Sequence, residues 1–258
     1  MRSEGRSPLI FTALEGISMI QEGDHLDEII LLALEENQTK MIDGDVLVIA
    51  QKIVSKVEGQ RIDLNTVVPS EEAQDLAEKT GKDSRLVELI LKESREVLRS
   101  RPGLIIVEHR LGFVCANAGI DRSNVAGKDS DFVLLLPANP DKSAQEIRQK
   151  LEIAADVQIG VVINDSHGRA WRNGTVGTSI GFSGIPGIVD LRGELDLFDY
   201  QLRVTEIAAV DELAAGASLL MGQAAEGIPV VHVRGFPYLL REGSFEELPR
   251  AHSKDMFR

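Results

Sequence analysis

Two short polar strings carry the residue types in this chain that could do chemistry. One is Asn117-Ala118-Gly119-Ile120-Asp121-Arg122-Ser123-Asn124; the other is Ile163-Asn164-Asp165-Ser166-His167-Gly168-Arg169. Each follows apolar residues of strand type, so each sets a carboxylate where a strand would give way to a loop. Asp and Asn there offer hard oxygen ligands, which suit Mg2+ or Mn2+. Two carboxylates from separate segments, with amides and arginines beside them, are what a metal–nucleotide site needs. Taken alone, Asp121 reads equally well as an ordinary turn cap. Asp165, at the end of a buried strand, needs a partner or a metal to stay ionised. Arg169 and Arg172 read either as surface arginines or as bidentate partners of phosphoryl or carboxylate groups. His109 and His167 lack a second His or Cys at zinc spacing, so both read as structural or as support behind the ligands. Trp171, the sole tryptophan, reads as packing.

The elements that must position these strings follow from periodicity. Asp24–Glu36 has apolar residues at helical spacing, with Asp24 as its N-cap. Asp45–Ala50 is a buried strand. Ser70–Lys79 and Asp83–Arg99 read as helices broken at Gly81. Leu104–Glu108 and Phe113–Ala116 form a hairpin around Arg110-Leu111-Gly112, and Phe132–Leu136 is a strand stopped by Pro137. Ser143-Ala144-Gln145-Glu146 has the form of a capping box, with a helix to about Ala155. Ile159–Ile163 is a buried strand ending at Asn164-Asp165. Arg203–Ala208 is a strand, Asp211–Met221 a helix closed by Gly222, and Pro229–Val233 the last strand. The glycines from Gly174 to Gly187 match no nucleotide fingerprint. They read as bulges, turns and close backbone packing, or as a channel wall or dimer surface. Without regular β-α alternation the class is α+β, with mixed, mainly antiparallel sheets.

Composition sets the limits. The chain has 258 residues, 43% hydrophobic and 27% charged, and can bury a substantial core. Cys115 is the only cysteine, so no intrachain disulfide can form and a cytoplasmic setting is favoured. Within its apolar run it reads as buried and inert. No apolar stretch is long enough to span a bilayer. Arg2 and Arg6, with Glu4 and Glu15 bracketing a brief apolar patch, do not make a signal peptide. A net charge of −13 argues against nucleic acid as a partner. A polyanionic small ligand would need local cations against that field.

With these strings the chain resembles the coenzyme F-420:L-glutamate ligase family (F-420-0:gamma-glutamyl ligase). Further segments fall in the family's order: Glu15-Gly16, Glu22-Gly23-Asp24, Asp43-Gly44-Asp45-Val46-Leu47-Val48, Ser55-Lys56-Val57-Glu58-Gly59, and Leu219-Leu220-Met221-Gly222 followed by Glu226-Gly227-Ile228-Pro229. The resemblance runs from about Leu9 to about Gly243. It implies catalytic roles for Asp121, Asp165 and Arg169, and two divalent ions (Mg2+ or Mn2+) held by Asp121, Asp165, Ser166 and Gln223, with K+ as a further cation. It implies nucleotide contacts from Ile17, Ser18, Met19, Ile20, Gln51, Lys52, Lys56, Asn124, Met221, Gly222, Gln223, Ala224, Ala225, Glu226, Gly227 and Ile228. Four residues depart from the family's pattern. Ser166 stands where Thr is frequent and keeps the oxygen. Gln223 stands where some members have Glu and drops a charge. Gln51-Lys52 replaces small hydroxylic residues.

The resemblance further implies a single ligase unit over residues 1–258, or two interleaved subdomains, with a polar tail at 244–258 and an intertwined homodimer. Some bacterial relatives carry a C-terminal nitroreductase-like flavin domain; these 258 residues are too few to include one. The implied reaction is GTP-dependent. The terminal carboxylate of F-420-0 is phosphorylated, and the amine of L-glutamate attacks the acyl phosphate; later glutamates are γ-linked. The rival readings are a ligase for a different acid, a non-catalytic nucleotide- or metal-binding regulator, and a metal-dependent phosphatase.

Overall fold

A computed structural model describes residues 8–125 and 131–256 of the chain. Arg2, Glu4 and Arg6, on which the N-terminal reading rests, lie outside the described residues. The first half runs β1 (Ile10–Ala13), α1 (Leu26–Glu36), β2 (Val46–Ala50), α2 (Gln51–Val57), β3 (Arg61–Asp63), α3 (Glu71–Thr80), α4 (Ser84–Lys92), β4 (Ser94–Arg101), β5 (Leu104–His109) and β6 (Val114–Ala116). The second half runs β7 (Phe132–Leu134), α5 (Pro140–Ala155), β8 (Gly160–Arg169), β9 (Arg172–Ser183), β10 (Ile188–Asp190), β11 (Glu206–Ala208), α6 (Ala209–Met221) and β12 (Val230–Arg234). This is a mixed α+β architecture whose sheets are mainly antiparallel.

The central sheet has the order β1-β12-β2-β8-β9, and β2–β8 is its one parallel pair. Strands in the middle of such a sheet are covered on both faces, so they read as unbroken apolar runs. Leu47, Ile49, Val161 and Ile163 face one core with residues of α1 and α5. Val46, Val48 and Val162 alternate with them and face a second core with Val210, Leu213 and Ala217 of α6. Each such side chain, fully buried, contributes about 1.5–3 kcal/mol. Gly177 and Gly181 of β9 let the neighbouring layers approach closely. A Cβ at Gly177 would collide with the Ala214 carbonyl, and one at Gly181 with Pro140. The three-stranded sheet β4-β5-β6 packs on α3 and α4 through a separate small core.

Several sequence expectations shift. The helix foreseen over Asp83–Arg99 ends at Lys92, and Ser94–Arg101 is strand β4, paired with β5. Pairing with β5 outweighs a helical propensity that is only a weak prior. The capping box at Ser143 does not form. α5 begins a turn earlier with Pro140 at its start, and Asn139 caps it by accepting from the Lys142 N–H at 3.1 Å. Ser143 Oγ instead bonds Glu58. His25, not Asp24, occupies the N-cap of α1, because the Asp24 carboxylate accepts from the Gln21 N–H at 2.8 Å. Trp171 is 87% exposed in the β8–β9 turn and does not pack in a core. Within the polar tail, Phe245 is docked: its N–H donates to Asp141, and its ring meets Phe113 edge-on at 5.5 Å.

At the amino end of β2 one carboxylate ties two strands together. Asp45 is 1% exposed and accepts from Arg234 Nε and Nη2 at 2.9 and 2.7 Å and from His232 Nε2 at 2.8 Å. Burial alone would raise its pKa. The His232 and Arg234 hydrogen bonds, with the Ile42 N–H, outweigh burial and hold it at about 2, below the ordinary 3.8. Between these values the unfolded chain binds the proton more tightly. Asp45 therefore contributes about 2 kcal/mol that is fully present above pH about 4 and lost as pH falls through about 2. Asp45→Asn should lower stability to urea by about 1–3 kcal/mol near neutral pH, since it replaces a buried carboxylate that accepts charge-assisted hydrogen bonds from Arg234. The gap to wild type should narrow as the pH is lowered from about 4 to about 2.

Candidate active site

The parallel β2–β8 pair sets the carboxyl ends of two strands side by side, with Ala50 opposite Asn164. Crevices at such ends are where open sheets take ligands. β2 turns straight into α2, so Gln51 and Lys52 form the first turn of a helix beside β8. β8 runs on past the end of β2 and stays paired to β9 alone through Arg169. Asp165 is thus a mid-strand residue, not a strand end as the sequence suggested. A bulge between Ile163 and Asn164 shifts the register where the strand becomes polar.

Asp121 is held by its backbone. Its N–H and C=O pair with Leu134 of β7 in an isolated bridge, both at 2.9 Å. The preceding turn explains the NAG string. Asn117, Ala118 and Gly119 all have positive φ, near 51°, 54° and 65°. Asn117 tolerates this and accepts from the Ile105 N–H at 3.2 Å, while Ala118 is fully buried. At position 119 a Cβ would lie 2.7 Å from Leu136 Cδ1, so only glycine fits.

A cavity of about 650 Å3 opens between these segments. Every position named above for nucleotide contact lies in its wall: the 17–20 loop, Gln51, Lys52 and Lys56 of α2, Asn124, and the 221–228 connection after α6. Asp165 and Ser166 line it too. Asn164, Ala50, Ile53, Val125 and Pro229 complete the wall, and only their adjacency to the quoted strings could have signalled them. The 222–227 loop winds around the Glu226 carboxylate, which accepts from the Ala224 N–H at 2.8 Å. These backbone bonds hold the Glu226 pKa below its ordinary value. Asn124 Nδ2 donates to the Ala224 carbonyl at 2.9 Å and ties this loop to the Asp121 string. Gln223 lies in the same wall but bonds neither carboxylate among the described residues. Arg169 and Arg172 face each other at the exposed tip of the β8–β9 hairpin, outside the cavity wall.

Asp121 and Asp165 sense one another. Burial pushes the Asp121 carboxyl up to about 6; Lys52 opposes this, and the charge on Asp165 adds to it. Asp165 is also penalised by burial, but the His167 ring, 2.9 Å away, and the Ser166 N–H hold its pKa below the ordinary range. His167 leans on Phe113 at 5.3 Å, and Phe113 stacks on buried His109 at 5.0 Å. The sequence reading of His167 as structural or as support behind the ligands gains its partner here: on the continuous strand β8 it sits beside Asp165. Gln51 is buried, and its Nε2 donates to Asp121 Oδ2 at 2.8 Å. Its Oε1 accepts from Ser55 Oγ at 2.9 Å, which fixes the amide's orientation. Among the described residues no cluster of three His, Cys, Asp or Glu exists, so a cation here would draw on amide, hydroxyl and carbonyl oxygens as well. Asn164 Oδ1 is one such oxygen, buried and without a hydrogen-bond partner.

Residues 16–235 match the family model for F420-0:Gamma-glutamyl ligase. The chain is 46% identical over 247 residues to a Coenzyme F420:L-glutamate ligase of Methanothermobacter thermautotrophicus, covering 95% of this chain and 97% of the relative. It is 46% identical over 216 residues to the ligase of that name from Methanocaldococcus jannaschii, covering 84% and 85% of the two chains. For the Methanopyrus kandleri protein of the same name the identity is 45% over 243 residues, 93% of each chain.

The turn before Asp121 is open to a direct check. Gly119→Ala should cost about 2–4 kcal/mol in urea unfolding, combining a left-handed penalty of about 1–2 with crowding of Leu136. Asn117→Ala, which keeps the space but loses the Ile105 bond, should cost about 1–2 kcal/mol.

Proposed function

The chain belongs to the F420-0:gamma-glutamyl ligase family, and on that footing we propose that it is a GTP- and divalent-metal-dependent ligase joining L-glutamate to coenzyme F-420-0. One arrangement carries the reading. Asp165 lines a cavity walled on one side by the cations of α2 and on the other by the backbone of the 222–227 loop, and Asp121, from a distant string, stands directly behind Gln51 and Lys52 of that wall, close enough to feel the charge on Asp165. Hard oxygen donors, mutual repulsion between the carboxylates and the orphaned Asn164 Oδ1 fit a divalent cation. Asp121, Asp165 and Ser166 would hold Mg2+ or Mn2+, with Gln223 reaching in from the loop. When bound, such ions draw charge from the transferring phosphoryl and the acceptor carboxylate.

The remaining residues bind and orient. Lys56 suits phosphate oxygens. Ile17, Ile20 and Ile53 give an apolar seat for the base. A carboxylate oxygen of F-420-0 attacks the γ-phosphorus of GTP; the bond to the β-phosphate oxygen breaks and GDP leaves. The glutamate amine then attacks the acyl carbon, phosphate departs with the bonding pair, and the amine sheds a proton to solvent. No side chain in the wall stands out as a dedicated base, so the rate rests on positioning and charge neutralisation. Later glutamates would add by γ-linkage at the same site. Arg169 acts in this scheme only if the hairpin tip approaches a bound substrate or partner.

A homodimer is part of the proposal. β10 and β11 continue into a hairpin arm, closed by Asp196 Oδ1 accepting from the N–H groups of Phe198 and Tyr200. At its end Leu197 and Phe198 are 97% and 88% exposed. Apolar residues grouped at the tip of a protruding arm suit insertion into a second copy. A cytoplasmic setting goes with it. Cys115 is buried with its thiol pushed up to about 12, and no helix among the described residues is long and apolar enough to cross a membrane.

Incubating F-420-0 with the protein, GTP, L-glutamate and Mn2+ should add a glutamyl mass that is absent without GTP. Phosphate release that ignores F-420-0 and glutamate would instead indicate a phosphatase. Asp165→Asn should lower kcat by roughly 100-fold or more at saturating Mn2+; near wild-type turnover would refute the metal assignment. Phe198→Asp should shift the sedimenting species from dimer to monomer.

A further inference from the structure

Lys52 reaches from the first turn of α2 to the opposite wall of the cavity, and its ammonium sits among three oxygens. Nζ is 2.8 Å from Ser123 Oγ, 3.4 Å from the Ser123 carbonyl oxygen and 3.5 Å from Asp121 Oδ2. An ammonium has three hydrogens and no acceptor, so three oxygens occupy it fully. A carboxylate, a hydroxyl and a backbone carbonyl are also the donor set that a hard cation takes. The pocket is built rather than incidental. The Asp121 backbone is locked to Leu134, and Gln51 donates to the same Oδ2 that faces the ammonium. Among the described residues Asp121 Oδ1 receives no hydrogen bond, so Gln51 and Lys52 share the one oxygen Oδ2.

We propose that the Lys52 ammonium is a tethered cation: it fills a monovalent-ion position between Asp121 and Ser123, so the protein needs no added potassium or ammonium ion. Both ions have nearly the radius of an ammonium head. Cutting the side chain back to Cβ leaves the three oxygens facing a space that either ion can enter. The activity arm rests on the ligase reading above; the binding arm does not.

The test compares wild type, Lys52→Ala and Lys52→Met in potassium, ammonium or choline chloride at one ionic strength. Melting temperature is read without nucleotide or divalent ion, and glutamate ligation is read with them. Wild type should behave alike in all three salts by both readings. Lys52→Ala should lose ligation by roughly 10- to 100-fold in choline. It should recover with potassium or ammonium, and its melting point should rise by about 2–4 °C in those salts. Lys52→Met fills the space without charge and should be impaired in every salt. Activation of wild type by potassium would overturn the proposal, as would a Lys52→Ala protein indifferent to the cation. If wild type ligates nothing in any salt while Lys52→Ala still melts higher in potassium, the ligase reading fails and the tethered cation stands.

Discussion

Two half-buried carboxylates of like charge have to be kept within reach of one another, and much of this fold can be understood as the means of doing so. Bringing Asp121 and Asp165 together is unfavourable in itself, since each loses water and each repels the other. The chain offsets this from both sides. Asp121 receives Gln51 and Lys52, and Asp165 receives His167. The asymmetry matters. Asp165 is held below the ordinary carboxylate range, whereas Asp121 is pushed up to about 6. Asp165 is the fixed anion and Asp121 the adjustable one.

The geometry that makes this possible is one parallel pair in an otherwise antiparallel sheet. An all-antiparallel sheet would alternate its strand ends, and β2 could not deliver the first turn of α2 next to the polar half of β8. Because Ala50 pairs with Asn164, the helix start and the strand's polar residues emerge on the same side. β8 then outruns β2 and is paired only with β9, which leaves an open flank for the cavity. The support continues behind the site. His167, Phe113, His109 and Phe245 form a run of rings from β8 through the β5–β6 hairpin to the C-terminal segment, whose backbone is clamped by Asp141. Rigid backing of this kind sets how accurately a carboxylate can be placed.

What was legible in the sequence was whatever is written in local pattern. The buried strands β2, β8 and β12 are short β-branched runs, and the central part of each was found. α6 and its Gly222 terminus, α3 and the Gly81 break were equally plain. Residues 117–119 stood out by type, but their three successive left-handed positions were not legible, because Ala118 carries a Cβ that this conformation penalises. The losses came where tertiary contact overrides local preference. Ser94–Arg101 lacks a strong strand pattern and becomes β4 only because β5 lies beside it. α2 is only seven residues long, too short for periodicity to show. Ser143 had the spacing of a cap, but Asn139-Pro140 one turn earlier defines a better start. For the site, much of the cavity wall was named in advance through the family resemblance, but who holds whom could not be. The pairs Lys52–Ser123, Asn124–Ala224 and Gln51–Asp121 join segments about 70 to 100 residues apart.

The cationic side of the cavity mirrors the anionic side. Lys56 has its pKa lowered, chiefly by burial and then by the neighbouring charges of Lys52 and Arg61. Cations therefore crowd along α2 and β3 as carboxylates crowd across the β8 wall. Neither crowding is relieved by the chain's own charge of −13, which lies mostly on solvated surface. A ligand that brought only negative charge would ease the first and worsen the second; a lone divalent ion would do the reverse. A polyphosphate that arrives with its cations relieves both at once. On that argument the selectivity of the cavity lies less in any single contact than in its demand for both charges together.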